Sequence, residues 1–262
     1  SSPLLDLTGQ HASLWRGTAA SHIDLHPKDE AGRWLVMNSA LNGIAPGQQV
    51  GVTVAGPNQP PHAALWAGSG TSWVDLHPAG ASESAARGVG ARTQVGWARF
   101  DAVRRAGMWS GTPESWSDLS PPGADDSMAR AIFGTWQVGY ASFGGVNHAV
   151  LWTGSAGSWQ DLHAFAGSLF VASNAASVWG EGPYLYIAGT GSLASDPSVG
   201  HALLWVRCRL DLDINGFVNG DDIDRYGESF DSADPSADFN GDGFVNGDDW
   251  DEFVDAFDQG CD

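Results

Sequence analysis

Along the first two hundred residues, apolar side chains fall in short runs bounded by glycine, serine and proline, the pattern of short β-strands joined by tight turns. One run recurs five times: His11-Ala-Ser-Leu-Trp15, His62-Ala-Ala-Leu-Trp66, Arg105-Ala-Gly-Met-Trp109, His148-Ala-Val-Leu-Trp152 and His201-Ala-Leu-Leu-Trp205. The copies start 51, 43, 43 and 53 residues apart. After four of them a Gly/Ser turn leads to a second run ending in Asp24-Leu25, Asp75-Leu76, Asp118-Leu119 and Asp161-Leu162. A third run precedes the middle copies, as Gln48-Gln-Val-Gly51, Gln94-Val-Gly-Trp97 and Gln137-Val-Gly-Tyr140.

A period of about 40 to 50 residues carrying about four short strands predicts a β-propeller, each period one blade whose faces are buried by its neighbours. The expected fold is mainly β, with a small propeller of about five blades over residues 1–206. The recurring tryptophans are expected to pack between blades. The fifth copy has no Asp-Leu run after it, whereas the chain opens on Leu4-Leu5-Asp6-Leu7, an Asp-Leu run with nothing before it. The N-terminal strand is therefore expected to complete the last blade and close the ring, protecting its edge. The hairpin over residues 11–25 has no strands upstream and predicts one incomplete blade, which strand complementation by another copy would fill.

The apolar pattern changes at the tail, predicted as a separate unit over residues 207–262. Asp211-Leu-Asp213-Ile-Asn215-Gly216-Phe217-Val218-Asn219-Gly-Asp-Asp222 is echoed 27 residues later by Asp238-Phe-Asn240-Gly-Asp242-Gly243-Phe244-Val245-Asn246-Gly-Asp-Asp249. Calcium takes six to eight oxygens, which a twelve-residue loop of the EF-hand type supplies from positions 1, 3, 5, 7, 9 and 12 around a glycine at 6. The candidate ligands are thus Asp211, Asp213, Asn215, Phe217 (backbone carbonyl), Asn219 and Asp222, then Asp238, Asn240, Asp242, Phe244 (carbonyl), Asn246 and Asp249. Two calcium ions are expected. The alternative is an acidic tail whose Asn-Gly pairs merely form turns. Each loop runs into an amphipathic stretch: Ile223, Tyr226 and Phe230 on one, Trp250, Phe253, Val254 and Phe257 on the other. Three-and-four spacing predicts two helices facing one another.

Charge sharpens this division. The chain carries −19, and the segment from Cys208 to Asp262 holds 17 acids against 2 bases. Such a surface repels phosphate backbones, so nucleic acid is not an expected partner and divalent cations are a natural one. No apolar run approaches the length of a membrane span, and Ser1-Ser2-Pro3 lacks the features of a signal peptide. Cys208 and Cys261 bracket the tail, where a disulfide would clasp its ends and require an oxidising compartment; the alternative is two free thiols.

On these runs the first 206 residues resemble the HAF family of bacterial extracellular repeats, keeping His-Ala-x-Leu-Trp and Asp-Leu but not that family's Phe in the first run. The resemblance implies an extracellular or cell-surface protein and supplies no catalytic residues. The duplicated loop-helix pattern with Asp at position 12 is similar to a type I dockerin. The Gly220-Asp221 and Gly247-Asp248 pairs depart from the positions by which dockerins contact cohesin, so the metal ligands carry over and the cohesin contact does not.

Seven of the eight histidines, and Asp24, Asp75, Asp118 and Asp161, sit in repeat register. An active site is needed once, so recurrence assigns them to packing and turn hydrogen bonds. The acids outside the repeat, among them Glu83, Asp101, Asp125 and Asp126, show no spacing that selects a catalytic pair. The expected function is non-enzymatic: a secreted, calcium-binding structural or adhesive protein that assembles with itself, as an oligomer or filament, or contacts another extracellular protein. The alternative is a dockerin-bearing component that binds or degrades carbohydrate, with a glycan as partner.

Overall fold

The computed structural model describes residues 9–90, 92–212 and 217–261. Five antiparallel sheets follow one another along the chain. The first has β1 (Ser13–Leu14) and β2 (Ile23–Asp24); the second β3 (Asn38–Ala45), β4 (Gln48–Val54), β5 (His62–Trp66) and β6 (Val74–Asp75). The third has β7 (Glu83–Val89), β8 (Gln94–Phe100), β9 (Val103–Trp109) and β10 (Ser117–Asp118); the fourth β11 (Asp126–Phe133), β12 (Trp136–Phe143), β13 (Val146–Trp152) and β14 (Gln160–Asp161). The fifth has the longer β15 (Phe170–Glu181), β16 (Tyr184–Leu193) and β17 (Asp196–Cys208). Helices α1 (Gly220–Asp231) and α2 (Gly247–Gln259) complete the chain.

Two-residue turns close six of the hairpins among the described residues. Gly144 and Gly145, at φ 59° and 81°, supply the left-handed pair that a tight hairpin demands between β12 and β13. Asp101 and Ala102 take the same place between β8 and β9 at φ 49° and 67°.

The repeat is a code for stacking one sheet on the previous one. Trp66 packs on Ala12 and Leu25, Trp109 on Val50, Ala63 and Leu76, Trp152 on Val95, Ala106 and Leu119, and Trp205 on Val138, Ala149 and Leu162. A serine on each following first strand latches the sheets: Ser39, Ser84, Ser127 and Ser173 accept the amides of Ala12, Ala63, Ala106 and Ala149 at 2.8–3.0 Å. The same hydroxyls meet Nδ1 of His26, His77 and His163 at 2.7, 2.8 and 2.9 Å. The repeated aspartates hold the turns, Asp24, Asp75 and Asp161 each accepting the amide of the residue two on and facing Nδ1 of His11, His62 and His148.

The expected closed propeller is not found: the five sheets hold two, four, four, four and three strands, stacked in sequence as an open series. Its ends show why. Trp66, Trp109, Trp152 and Trp205 are 0%, 1%, 0% and 7% exposed, whereas Trp15, at the same register in the first sheet, is 55% exposed, with no preceding described sheet to cover it. At the other end the outer face of the fifth sheet leaves Trp179, Leu204 and Val206 at 54%, 63% and 50%. The repeat specifies contacts between neighbours, while closure needs an end-to-end interface that no copy encodes. Leu4-Leu5-Asp6-Leu7, expected to close the ring, lie outside the described residues.

Candidate metal centre

Helices α1 and α2 pack around Tyr226 and Phe253, whose rings stack at 3.8 Å, with Leu210, Phe239 and Ala256 buried around them. Ile223, Phe230, Trp250 and Phe257 join this core, while Val254 faces outward. Cys208 and Cys261 form a disulfide with their Cα atoms 5.7 Å apart, clasping the unit across 53 residues.

Each helix is started by the end of its candidate loop. Asn219 and Asn246 cap α1 and α2, accepting the amides of Asp221 and Asp248 at 2.8 and 2.7 Å. Asp222 and Asp249 return the bond, accepting the amides of Asn219 and Asn246, both at 2.9 Å. Their other oxygens take the amides of Leu212, at 2.7 Å, and Asn240, at 3.1 Å, and both side chains are fully buried. Each position-12 carboxylate thus ties the two ends of its loop together.

The second loop is described throughout. Asn240 Oδ1 accepts the amide of Asp242, and Asp242 Oδ1 that of Phe244, both at 2.8 Å; Gly243 turns at φ 90° and donates to Asp238 Oδ2 at 2.9 Å. Asp238 Oδ1 is buried without a hydrogen-bond partner. Burial pushes this carboxyl up to about 6, reinforced by the charges of Asp249 and Asp242 and opposed by the Gly243 amide. In the first loop Asp211, Phe217, Asn219 and Asp222 are described, and Asp213, Asn215 and Gly216 lie outside the described residues.

The donors of the second loop are all oxygens, the chemistry calcium selects, and one buried carboxylate oxygen there is unsatisfied. Among the described residues, however, no three His, Cys, Asp or Glu side chains are gathered as a cage. The donors fit the ion in kind and order along the loop, and Asp249 is held by backbone amides.

This loop is wired to the sheets. Arg209 is buried and donates from Nε to the Gly182 carbonyl at 2.6 Å, from Nη1 to that of Phe239 at 2.8 Å and from Nη2 to Glu252 at 2.8 Å, with its Cζ 3.6 Å from the Phe239 ring centroid. Burial lowers its pKa, and the Glu252 carboxylate opposes that. Arg92 lies 5.0 Å from the Phe244 ring centroid. Between the hairpin tips of the third and fourth sheets and this loop runs a cleft of about 960 Å³, lined by Arg92, Trp136, Gln137, Gln160, Arg225 and Phe244 among others.

The acids outside the repeat are dispersed. Glu83 pairs with Arg99, Asp125 accepts the Gly145 amide, Asp126 accepts the Tyr140 hydroxyl, and Asp101 sits in a turn. Sequence reasoning missed the role of Arg209, which has no counterpart in any repeat. It also missed Arg87 and Arg130, whose shared register on successive first strands was the available signal.

No family model and no curated protein matches the chain. TolB from Acinetobacter baumannii is similar in structure at TM-score 0.42 and 12% identity, over 76% of this chain and 53% of TolB, so the chain spans about half the length of that protein. A likeness at that level carries no argument about fold or function. Among the described residues no helix is long and apolar enough to cross a membrane.

Proposed function

We propose that this chain is a secreted, non-enzymatic structural or adhesive protein that binds two calcium ions through its helical unit and assembles end to end with further copies. The observation that carries this reading is the unmatched register of Trp15. Four of the five repeated tryptophans are buried on a preceding sheet, and the fifth waits for one. The outer face of the fifth sheet, with Trp179, Leu204 and Val206, is an apolar surface of the kind each inner tryptophan covers. Joining one copy's first sheet to another's last is a head-to-tail contact, which propagates as a filament unless its rotation closes. Calcium in the second loop would satisfy Asp238 Oδ1 and offset the crowded carboxylates beside it. The disulfide supports an oxidising, extracellular location.

Sedimentation and electron microscopy with calcium and with chelator test assembly. Concentration-dependent growth in calcium, lost in Trp15→Ala, is expected; a strict monomer in every condition refutes it. Calorimetric titration of calcium into wild type and Asp238→Asn tests the ion independently, and absence of binding at millimolar calcium removes the metal from the account.

A second reading has its own observation. The cleft beside the second loop presents Trp136 among amide and hydroxyl side chains, a lining suited to a glycan. Specific retention on a glycan array, lost in Trp136→Ala, would favour it over assembly alone.

A further inference from the structure

The first strands of four sheets carry a β-bulge at one register, between Leu41 and Gly43, Ala86 and Gly88, Ala129 and Ala131, and Ala175 and Ser177. A bulge leaves one residue outside the ladder and re-aims its side chain. The residues so placed are Asn42, Arg87, Arg130 and Ala176. Neighbouring first strands are pressed together there. A Cβ on Gly43 would lie 2.9 Å from the Arg87 carbonyl oxygen, and one on Gly88 would lie 2.9 Å from that of Arg130. Arg87 and Arg130 therefore stand side by side on adjacent strands.

Arg104 from β9 joins them. Its Cζ lies 5.1 Å from the Trp97 ring centroid, and that of Arg130 lies 5.3 Å from the Tyr140 ring centroid. Trp97 and Tyr140 share one apolar cluster with Ala85 and Met128. Burial, and then the charges of Arg130 and Arg104, hold the Arg87 guanidinium below its ordinary pKa.

Compensation is incomplete. Asp126 reaches Arg104 Nε at 3.4 Å and accepts the Tyr140 hydroxyl at 2.9 Å. Nearby Arg99 and Arg105 have acids of their own in Glu83 and Asp118. Among the described residues, Arg87 and Arg130 have no acidic partner, and Nε of Arg87 and of Arg104 is buried without a hydrogen-bond acceptor. Three guanidiniums thus meet one carboxylate in a chain of charge −19. Clustered, half-buried like charges with idle donors call for a counter-ion, and guanidinium forks match the oxygens of tetrahedral anions.

We propose that Arg87, Arg104 and Arg130, walled by Trp97 and Tyr140, form a binding site for a doubly charged tetrahedral oxyanion of the sulfate or phosphate class. The site is independent of the calcium loops and of assembly. Its anion is either a free ion or an ester carried by a larger molecule, and both share this chemistry.

Titration calorimetry and thermal melting of the full chain, at fixed low calcium, would use inorganic sulfate and a sulfated disaccharide, with chloride at matched ionic strength as control. Sulfate stabilises many proteins by exclusion from their surfaces, so the difference between wild type and variants is what counts. Wild type is expected to give a saturable heat with sulfate. Arg87→Met and Arg130→Gln, on different strands, should each weaken binding at least about tenfold. In chloride both should melt at or above the wild-type temperature, because a like-charged neighbour has gone. Tighter binding of the disaccharide than of sulfate assigns the anion to an ester, and equal or weaker binding to the free ion; both uphold the site. Absence of saturable heat with either probe overturns the proposal. So do variants that bind as wild type does, or that melt well below it in chloride, since the guanidiniums would then serve the fold.

Discussion

Replacing Arg209 by methionine keeps an aliphatic side chain and deletes a guanidinium that covers the Phe239 ring and bonds two backbone carbonyls and one carboxylate. The Gly182 and Phe239 carbonyls lose these donors, at about 1 to 3 kcal/mol for each buried group left unsatisfied. Glu252 is 40% exposed at its side chain and turns to water, so its share is small. Release from burying a charge returns part of the cost. The balance is about 2 to 4 kcal/mol, and it falls on the junction of the helical unit with the fifth sheet. Urea unfolding gives the total, and amide hydrogen exchange in calcium locates it: faster exchange is expected around Phe239 and the turn at Gly182, with the inner sheets unchanged. Arg209→Lys should recover less than half, because one ammonium cannot reach three acceptors on three separate segments. A loss under about 1 kcal/mol, or exchange that rises evenly across all five sheets, would refute the assignment of Arg209 as the bolt between the two units.

Trp152→Ala should cost about 3 to 5 kcal/mol in monomer stability and Trp15→Ala within about 0.5 kcal/mol, by denaturant unfolding, since only the first empties a packed interface. Ala102→Gly should raise stability by about 1 kcal/mol by relieving a left-handed alanine, checked by thermal melting. Reducing Cys208–Cys261 opens a loop of 53 residues and should cost about 4 kcal/mol by chain entropy, read by melting with and without reductant. His26, His77 and His163 are held below 6.5, first by burial, with the stacked or neighbouring His11, His62 and His148 adding to it. The unfolded chain then takes up protons before the folded one. Stability is therefore intact above about pH 6.5 and lost as pH falls below it; a flat profile from pH 7 to 5 in urea unfolding would contradict this.

Much of the inter-sheet packing was legible because each phrase fills a fixed slot. Where the third sheet has Arg105 and Ser120 instead of two histidines, Arg105 still pairs with Asp118 at 3.2 Å and Ser120 still meets Ser127 at 2.9 Å. The slot tolerates a change of residue when both partners keep a donor facing an acceptor. In the tail, the apolar spacing placed the amphipathic stretches from Ile223 and Trp250; the helices start three residues earlier, at Gly220 and Gly247, because Asn and Asp at loop positions 9 and 12 are also a capping box. Val254 was misplaced because the same spacing that put Trp250, Phe253 and Phe257 in the core left it at the rim, 38% exposed.

The ring closure expected from the repeat is not found, and the reason bears on function. A strand phrase states which neighbour it stacks on, but the close approach of successive first strands rests on bulges and glycine contacts distributed over several strands. At Gly43 and Gly88 a missing Cβ lets one first strand touch the next, and each bulged residue is free of ladder constraints. One pair of such positions bears Arg87 and Arg130. The register that draws the sheets together is thereby also the register that gathers positive charge, so spacing and anion chemistry were set by the same few residues. A stack built this way leaves apolar side chains on its end faces, where Trp15 and Leu204 reach the surface.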